Sequence, residues 1–146
     1  MIGLIQRTTS ASVTIGETEV AKIGTGMLVL VGFKRSDEQQ RLDRFVERLL
    51  NYRLFPDEAG RMNRSLRDIN GELLLVPQFT LTADTNVGNR PSFSPTASPE
   101  SGRKLFEALC RRVQQAWPRS ASGVFGADMQ VALVNDGPVT FWLEVA

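Results

Sequence analysis

Histidine is absent from the 146 residues of this chain. Because histidine is the commonest general base and the commonest zinc ligand, its absence excludes a Ser-His-Asp triad and an HExxH zinc site. The single cysteine, Cys110, has no partner for an internal disulfide and no companions for a metal cluster. We therefore expect a protein of a reducing compartment that uses neither a metal nor a cofactor.

Long apolar runs and a strong charge of either sign are missing as well. No apolar segment approaches the roughly 20 residues of a membrane-spanning helix, and the first residues lack the order of a secretory signal. These absences predict a cytoplasmic protein without a membrane partner. The net charge is only +1, so contact with nucleic acid would require a local basic patch rather than a field around the whole molecule.

Apolar residues alternate or cluster in seven segments that predict β-strands. The segments are 1–7, 11–15, 18–23, 27–33, 73–76, 129–134 and 139–145. The continuous runs at 27–33 and 73–76 are typical of strands buried on both faces, and the other segments favour antiparallel strands. At this length we expect one domain, residues 1–146, whose core needs no disulfide or metal.

Two amphipathic helices are predicted among these strands. The first follows a capping box formed by Ser36 and Gln39, and the second, over 98–117, has Cys110 on its apolar face. We expect this thiol to pack in the core. Together the elements predict an α/β fold with mixed, largely antiparallel sheets in a barrel-like β core and both main helices on one side, in an α/β/β layering.

Loop segments hold the candidate sites. The stretches 61–71 and 82–99 have no apolar periodicity and are expected to be loops. Polar residues follow a buried strand directly in the segment 77–81, and a strand end that opens into a loop is a common place for a site. The alternative is a strand that merely leaves the core at a proline. The segment 135–138 contains Gly-Pro, which permits unusual backbone angles, although a plain hairpin turn would use the same residues.

Separated blocks of sequence, in one order, resemble the D-aminoacyl-tRNA deacylase family over essentially the whole chain. The blocks are MIGLIQR and ASVT at the start, RMN at 61–63, QFTL at 78–81, RPSFS at 90–94, ADMQV at 127–131 and NDGPVTFWLEV at 135–145. The family has Ser before QFTL, whereas this chain has Pro77. A role of that serine's hydroxyl or amide is not carried over, since proline has no amide proton.

The resemblance implies a homodimeric hydrolase that cleaves the ester between tRNA and a D-amino acid or glycine, as proofreading in translation. It implies that Gln78, Phe79 and Thr80 of one subunit form the catalytic segment and that Gly137-Pro138 of the other, joined by a cis bond, complete the site. Backbone carbonyls there would hold the substrate ammonium and leave no volume for an L side chain, while glycine would pass.

Two mechanisms are weighed for the implied hydrolysis. In the first, the backbone amides of Phe79 and Thr80 stabilise the oxyanion, and the tRNA 2′-hydroxyl helps to orient the attacking water. In the second, Thr80 is a covalent nucleophile and needs an adjacent base. The chain offers only Lys22, Lys34 and Lys104 as lysines, and none of them lies in a block that the resemblance places near QFTL.

Further roles are implied by the resemblance alone. Phe79, Phe125 and Met129 would line the pocket for the terminal adenosine, although Phe125 and Met129 could equally pack in the core. Arg7 would brace the Gly-Pro segment, and otherwise is a solvated arginine. Contact with tRNA is expected from arginines that flank the site, Arg61, Arg64, Arg67 and Arg90, with an alternative set on the second helix, Arg103, Lys104, Arg111 and Arg112.

Two other functions stay open from the sequence. A non-catalytic tRNA-binding module would use the same loop arginines without turnover. A general small esterase would ignore the RNA, and the lack of a GxSxG elbow and of any histidine argues against it.

Overall fold

The computed structural model describes residues 1–146. Its strands and helices follow one another as β1 (Ile2–Ile15), β2 (Thr18–Ile23), β3 (Gly26–Gly32), α1 (Leu42–Asn51), β4 (Phe55–Pro56), β5 (Met62–Arg64), α2 (Leu66–Ile69), β6 (Glu72–Pro77), α3 (Pro99–Ala116), β7 (Ser120–Ser122) and β8 (Gln130–Glu144). One 3-10 turn, Gln39–Arg41, precedes α1, and a second, Phe79–Thr82, follows β6. No helix is long and apolar enough to cross a membrane.

One mixed sheet contains six of the strands. Its order is β2-β1-β3-β6-β7, with β8 paired to β1. The pairs that β1 makes with β2, β3 and β8 are antiparallel, and the pairs β3–β6 and β6–β7 are parallel. Because β2 also approaches β6 and β7, the sheet curls into a nearly closed barrel.

The residues of β3 and β6 alternate between two apolar layers. Met27, Val29 and Leu75 belong to the larger core, which α1 and α3 cover from one side. Leu28 and Leu74 point the other way, into the smaller core that the curled sheet encloses. The continuous apolar runs therefore mark strands that are buried on both faces, and the predicted α/β fold with helices on one side of a barrel-like core is confirmed.

The start of α1 differs from the predicted capping box. Arg41 is the N-cap residue, and no side chain caps the helix. The Asp37 carboxylate fixes this region instead, since it accepts hydrogen bonds from the amide of Lys34 at 2.7 Å and from the Met1 ammonium at 2.6 Å. The Ser36 and Gln39 pattern was misleading because Gln39 begins a 3-10 turn that lies between Ser36 and the helix.

The predicted loop 61–71 contains short elements. β4 and β5 form a small hairpin, and α2 follows it with a true capping box in which Ser65 and Asp68 exchange backbone and side-chain hydrogen bonds. Leu66 is fully buried beneath them. The prediction of a plain loop was wrong because elements of two to four residues are too short to show periodicity.

The predicted hairpin at the carboxyl end was also wrong. The segments 129–134 and 139–145 belong to one strand, β8, and both halves pair with the long strand β1. Gln6 is opposite Thr140, whereas Thr8 is already opposite Asn135, so the residues between them bulge out of the ladder. Asn-Asp-Gly-Pro has the composition of a turn, but here it forms a bulge within a strand.

Candidate active site

The segment after β6 stays attached to the sheet for one further residue and then turns. The amide of Gln78 donates to the carbonyl of Val31 at 2.7 Å, and the 3-10 turn Phe79–Thr82 follows. Gly32 permits this close passage, since a Cβ there would lie 2.9 Å from the Gln78 carbonyl oxygen. The buried Thr82 hydroxyl donates to the Phe79 carbonyl at 2.9 Å and fixes the turn.

Phe79 and Thr80 are the first two residues of this turn. Amides in that position have no acceptor within the turn, and no side chain caps it. The Gln78 side-chain amide instead donates to the Thr80 hydroxyl. The two backbone N–H groups are therefore placed where a ligand oxygen can accept from them.

A cleft of about 760 Å³ opens beside the turn. Its volume lies within the range of small-molecule sites, and its lining is mostly apolar with a few polar groups. Gln78 and Phe79 line the cleft, whereas Thr80 does not. The only ionisable side chains in the lining are Arg35 and Asp128, so the cleft has neither an amine nor an imidazole to act as a base.

Phe125 and Met129 both line the cleft and both pack against protein. The guanidinium of Arg103 lies 5.2 Å from the centre of the Phe125 ring. The Met129 sulfur accepts from the Val124 amide at 3.4 Å. Gly123 leaves room for it, because a Cβ on that glycine would lie 2.8 Å from the sulfur. These two side chains are thus fixed parts of the wall.

The bulge in β8 is an exposed and well-held projection. Gly137 has a φ of +144°, and a Cβ on it would lie 2.6 Å from Cγ2 of Val139, so only glycine fits. The Gly137-Pro138 bond is cis, as the resemblance implied. The Asn135 side chain spans the bulge, accepting from the Val139 amide and donating to the Thr140 hydroxyl, each at 3.0 Å.

Arg7 lies beneath the bulge. Its Nε donates to the Asp136 carbonyl at 2.9 Å, and Nη1 donates to the Leu54 carbonyl at 2.9 Å. The Arg7 side chain is only 13% exposed, which excludes a freely solvated arginine. The bulge is thereby tied to the segment that leads into the β4–β5 hairpin.

The bulge and the Gln78 segment lie at different positions along and across the sheet. Arg7 is opposite Met27 in β3, and Met27 is opposite Leu73 in β6. Gln78 lies five residues beyond Leu73, which corresponds to about 16 Å along the strand. Two further strand spacings separate β8 from β3. The bulge is therefore offset from Gln78 of the same chain both along the strands and across the sheet.

The four arginines predicted to flank the site are not brought together. Arg67 lies 5.8 Å from the Trp117 ring, whose indole donates to Gly71 just before β6, at the end away from the cleft. Arg64 lies in the hairpin and pairs with Glu58 at 3.4 Å. Arg61 belongs to the same hairpin loop, and Arg90 lies exposed in the loop that follows the 3-10 turn. Arg61, Arg64 and Arg67 therefore lie on or beside the β4–β5 hairpin and outside the cleft lining.

Arg35 and Phe93 are cleft residues that were missed in the sequence. Arg35 follows β3 just as Gln78 follows β6, and the strand-end rule applied to both parallel strands would have found it. Phe93 lay in the quoted RPSFS block but carried no assigned role. A bridge between Lys34 and Thr96 brings its loop to the cleft, and local pattern does not reveal such a contact.

Cys110 plays no part in the cleft. It packs against the larger core and lines a separate cavity of about 260 Å³ between α3 and β7. Burial raises the pKa of its thiol above the usual value, and a hydrogen bond with Ser122 acts in the opposite direction. A protonated, half-buried thiol is unreactive.

A family model for D-Tyr-tRNA(Tyr) deacylase matches residues 4–144. The chain is 56% identical over 144 residues to a D-aminoacyl-tRNA deacylase of Alkalilimnicola ehrlichii, covering 99% of this chain and 96% of that protein. It is 57% identical over 144 residues to a D-aminoacyl-tRNA deacylase of Methylococcus capsulatus, covering 99% and 94%.

Two solved structures have the same fold. One, titled c-Myc DNA Unwinding Element Binding Protein, is 37% identical, has a TM-score of 0.94 and is matched over 100% of this chain and 99% of its own. The other, titled as a probable eukaryotic D-amino acid tRNA deacylase, is 17% identical with a TM-score of 0.88 over 99% and 98%. At that identity the second likeness supports the fold alone.

Proposed function

This chain belongs to the D-Tyr-tRNA(Tyr) deacylase family, and we propose that its cleft binds the aminoacylated 3′ end of tRNA and hydrolyses the ester. Family membership makes the chain a hydrolase that deacylates D-aminoacyl-tRNA. The observation that supports this site is the free amino end of the 3-10 turn at Phe79 and Thr80, beside a cleft of nucleoside size.

The proposed chemistry uses main-chain atoms rather than a reactive side chain. The amides of Phe79 and Thr80 donate to the oxyanion of the tetrahedral intermediate, an effect that is usually large among catalytic contributions. Water attacks the ester carbonyl, and the ribose 2′-hydroxyl next to the ester orients it. The cleft lining supports this scheme because it offers no lysine, histidine or thiol.

Thr80 is the weaker candidate for a nucleophile. Its hydroxyl accepts a hydrogen bond from the Gln78 side chain. No lysine lies in the cleft to take the hydroxyl proton, and activation of a threonine requires such a base. We therefore assign Thr80 through its amide and not through its side chain.

We propose that a second copy of the chain completes the cleft with its Gly137-Pro138 bulge. The bulge is exposed, is fixed by Arg7 and Asn135, and is offset from Gln78 of its own chain along and across the sheet. A homodimer with twofold symmetry would place each bulge at the other subunit's cleft. Both partners then contribute to both sites.

The bulge accounts for selection by chirality through exclusion. Carbonyl oxygens near Gly137 can accept from the substrate ammonium and fix the amino acid against rigid backbone. An L side chain would then point into the bulge, whereas a D side chain points away and glycine has none. Rejection by collision discriminates more strongly than a pocket that only adds contacts.

The direct test uses purified protein with three substrates on one tRNA: a D-aminoacyl ester, the matching L-aminoacyl ester and glycyl ester. We expect rapid release of the D-amino acid, release of glycine, and no release of the L-amino acid above the spontaneous rate. Binding of all three without turnover would support a tRNA-binding module instead. Hydrolysis of simple esters with equal efficiency would support a general esterase.

A further inference from the structure

Two phenylalanines that line the cleft pack against each other with much of their surface in water. Phe79 is 55% exposed and Phe93 is 41% exposed. Their ring centres lie 5.2 Å apart, with the planes inclined at 54°. Large apolar side chains are seldom left exposed as a pair, so the arrangement points to a flat partner that covers them.

The position of Phe93 is fixed by its backbone. Ser92 and Asp84 exchange two backbone hydrogen bonds, at 2.8 Å and 3.0 Å, immediately before it. The Thr96 amide donates to the Phe93 carbonyl at 3.0 Å immediately after it. The buried Thr96 hydroxyl is hydrogen-bonded to Thr82 at 2.8 Å, which links the loop to the 3-10 turn of Phe79. The two rings therefore form a rigid surface on two connected segments.

Arg35 supplies positive charge in the same cleft. It lines the cleft, its side chain is exposed, and it forms no ion pair. The neighbouring Lys34 differs, because its ammonium group forms an ion pair with the Glu144 carboxylate and it does not line the cleft. The Arg35 amide is bonded to the Pro95 carbonyl at 2.9 Å, two residues from Phe93. A guanidinium without an ion pair that lines the same cleft as the exposed rings matches the phosphate and base of a nucleotide.

We infer that Phe93 and Arg35 form a second nucleotide subsite, which binds the base and phosphate immediately 5′ of the terminal adenosine. The inference rests on the proposed function, in which the adenosine and its ester occupy the cleft. The 3′ oxygen carries the amino acid inward, so the 5′ phosphate and the preceding nucleotide leave through the rim. Stacking tolerates any base, since every base has a flat face.

The experiment compares two esters of the same D-amino acid, one on adenosine and one on the 3′ end of a dinucleotide that ends in adenosine. For the unaltered protein we expect kcat/KM to be higher for the dinucleotide, chiefly through a lower KM. In the double variant Phe93→Ala with Arg35→Gln, we expect this gain to fall by about tenfold or more, the size of a lost base-stacking contact.

Matched variants separate the contact from general damage to the loop. Phe93→Tyr keeps a ring and should keep most of the gain. Val87→Ala changes an 83% exposed apolar residue on the same loop, outside the cleft lining, and should leave the gain unaltered.

Three results would overturn the inference. The first is an equal gain in the double variant and the unaltered protein. The second is an unaltered protein that hydrolyses both esters equally well. The third is a weaker dimer in Phe93→Ala with an undiminished gain, which would mean that a second copy covers the rings. Failure of the proposed function is separately visible, because neither ester would then be hydrolysed.

Discussion

The cleft end and the bulge end of the sheet are opposite in shape and in how they are held. The cleft is a cavity beside the free amides of Phe79 and Thr80, and its lining has no lysine, histidine or thiol. The bulge at Gly137 is a projection that the side chains of Arg7 and Asn135 hold in place through hydrogen bonds to its backbone. Neither region is a complete site alone. The cleft lacks the rigid backbone projection that the bulge supplies, and the bulge lacks the cavity and the free amides.

The largest expected effect concerns the amide of Phe79. Phe79→Pro removes this N–H, and proline is tolerated at the first position of a helical turn. We expect kcat to fall about 100- to 1000-fold, as for loss of one oxyanion donor.

Phe79→Ala is the matched control because it removes the ring and keeps the amide. It should retain far more kcat than Phe79→Pro, and single-turnover rates measure both. Equal losses in the two variants would show that the ring, and not the amide, is the important group at this end.

The next effect concerns the bulge. Gly137→Ala places a Cβ within 2.6 Å of Val139 Cγ2 and 2.8 Å of its amide nitrogen, at a φ of +144°. The bulge must shift, and a shift of about 1 Å at a reacting centre can cost about 100-fold in rate. Deacylation of D-aminoacyl-tRNA measures the loss, and circular dichroism checks the fold. Normal activity in a folded variant would remove the bulge from the site.

A smaller effect is expected from the support of the bulge. Arg7→Met removes donors to the carbonyls of Asp136 and Leu54, and hydrogen bonds from charged groups contribute about 1.5–3 kcal/mol each. We expect kcat/KM to fall about tenfold, in line with loss of one such bond. Discrimination between D- and L-aminoacyl-tRNA should weaken with it. Arg119→Gln removes a similar exposed bond, to Asn70, and should change neither quantity. Unaltered discrimination in Arg7→Met would contradict the bracing role.

The smallest effect is expected from the Thr80 side chain. Thr80→Val keeps the shape and the backbone amide but removes the hydroxyl that Gln78 contacts. Since we place the chemistry on the amide, kcat should fall by less than about tenfold, the scale of a single uncharged hydrogen bond. Near-complete loss of turnover with tRNA binding intact would make Thr80 the nucleophile.

The sequence predicted the parts of the fold that the core imposes. The buried strands and the two long helices, α1 and α3, have apolar patterns many residues long, and packing enforces such patterns. The continuity of β8 was not predictable from Asn135 to Pro138, because turn-forming residues there bulge from a strand that β1 holds on both sides of them. The short elements β4, β5 and α2 left no periodic signal.

The site was predictable only in pieces. The segment containing Gln78 stood out as polar residues at a strand end, the segment containing Gly137 stood out by its Gly-Pro pair, and the resemblance gave both of them roles. Which end of the sheet each segment occupies depends on strand order and register, which are properties of the assembled sheet. For that reason Arg61, Arg64 and Arg67 were expected beside the cleft but lie on or beside the β4–β5 hairpin and α2, outside the cleft lining.

The central claim is that one subunit's cleft works only with the other subunit's bulge. Phe79→Pro and Gly137→Ala chains, each inactive alone, can be co-expressed with different tags and the mixed dimers purified. Random pairing gives about half mixed dimers with one intact site each, so the unfractionated mixture should regain about a quarter of the normal rate. Activity no greater than that of the two parent variants would contradict the account, since it would mean that cleft and bulge must belong to the same chain.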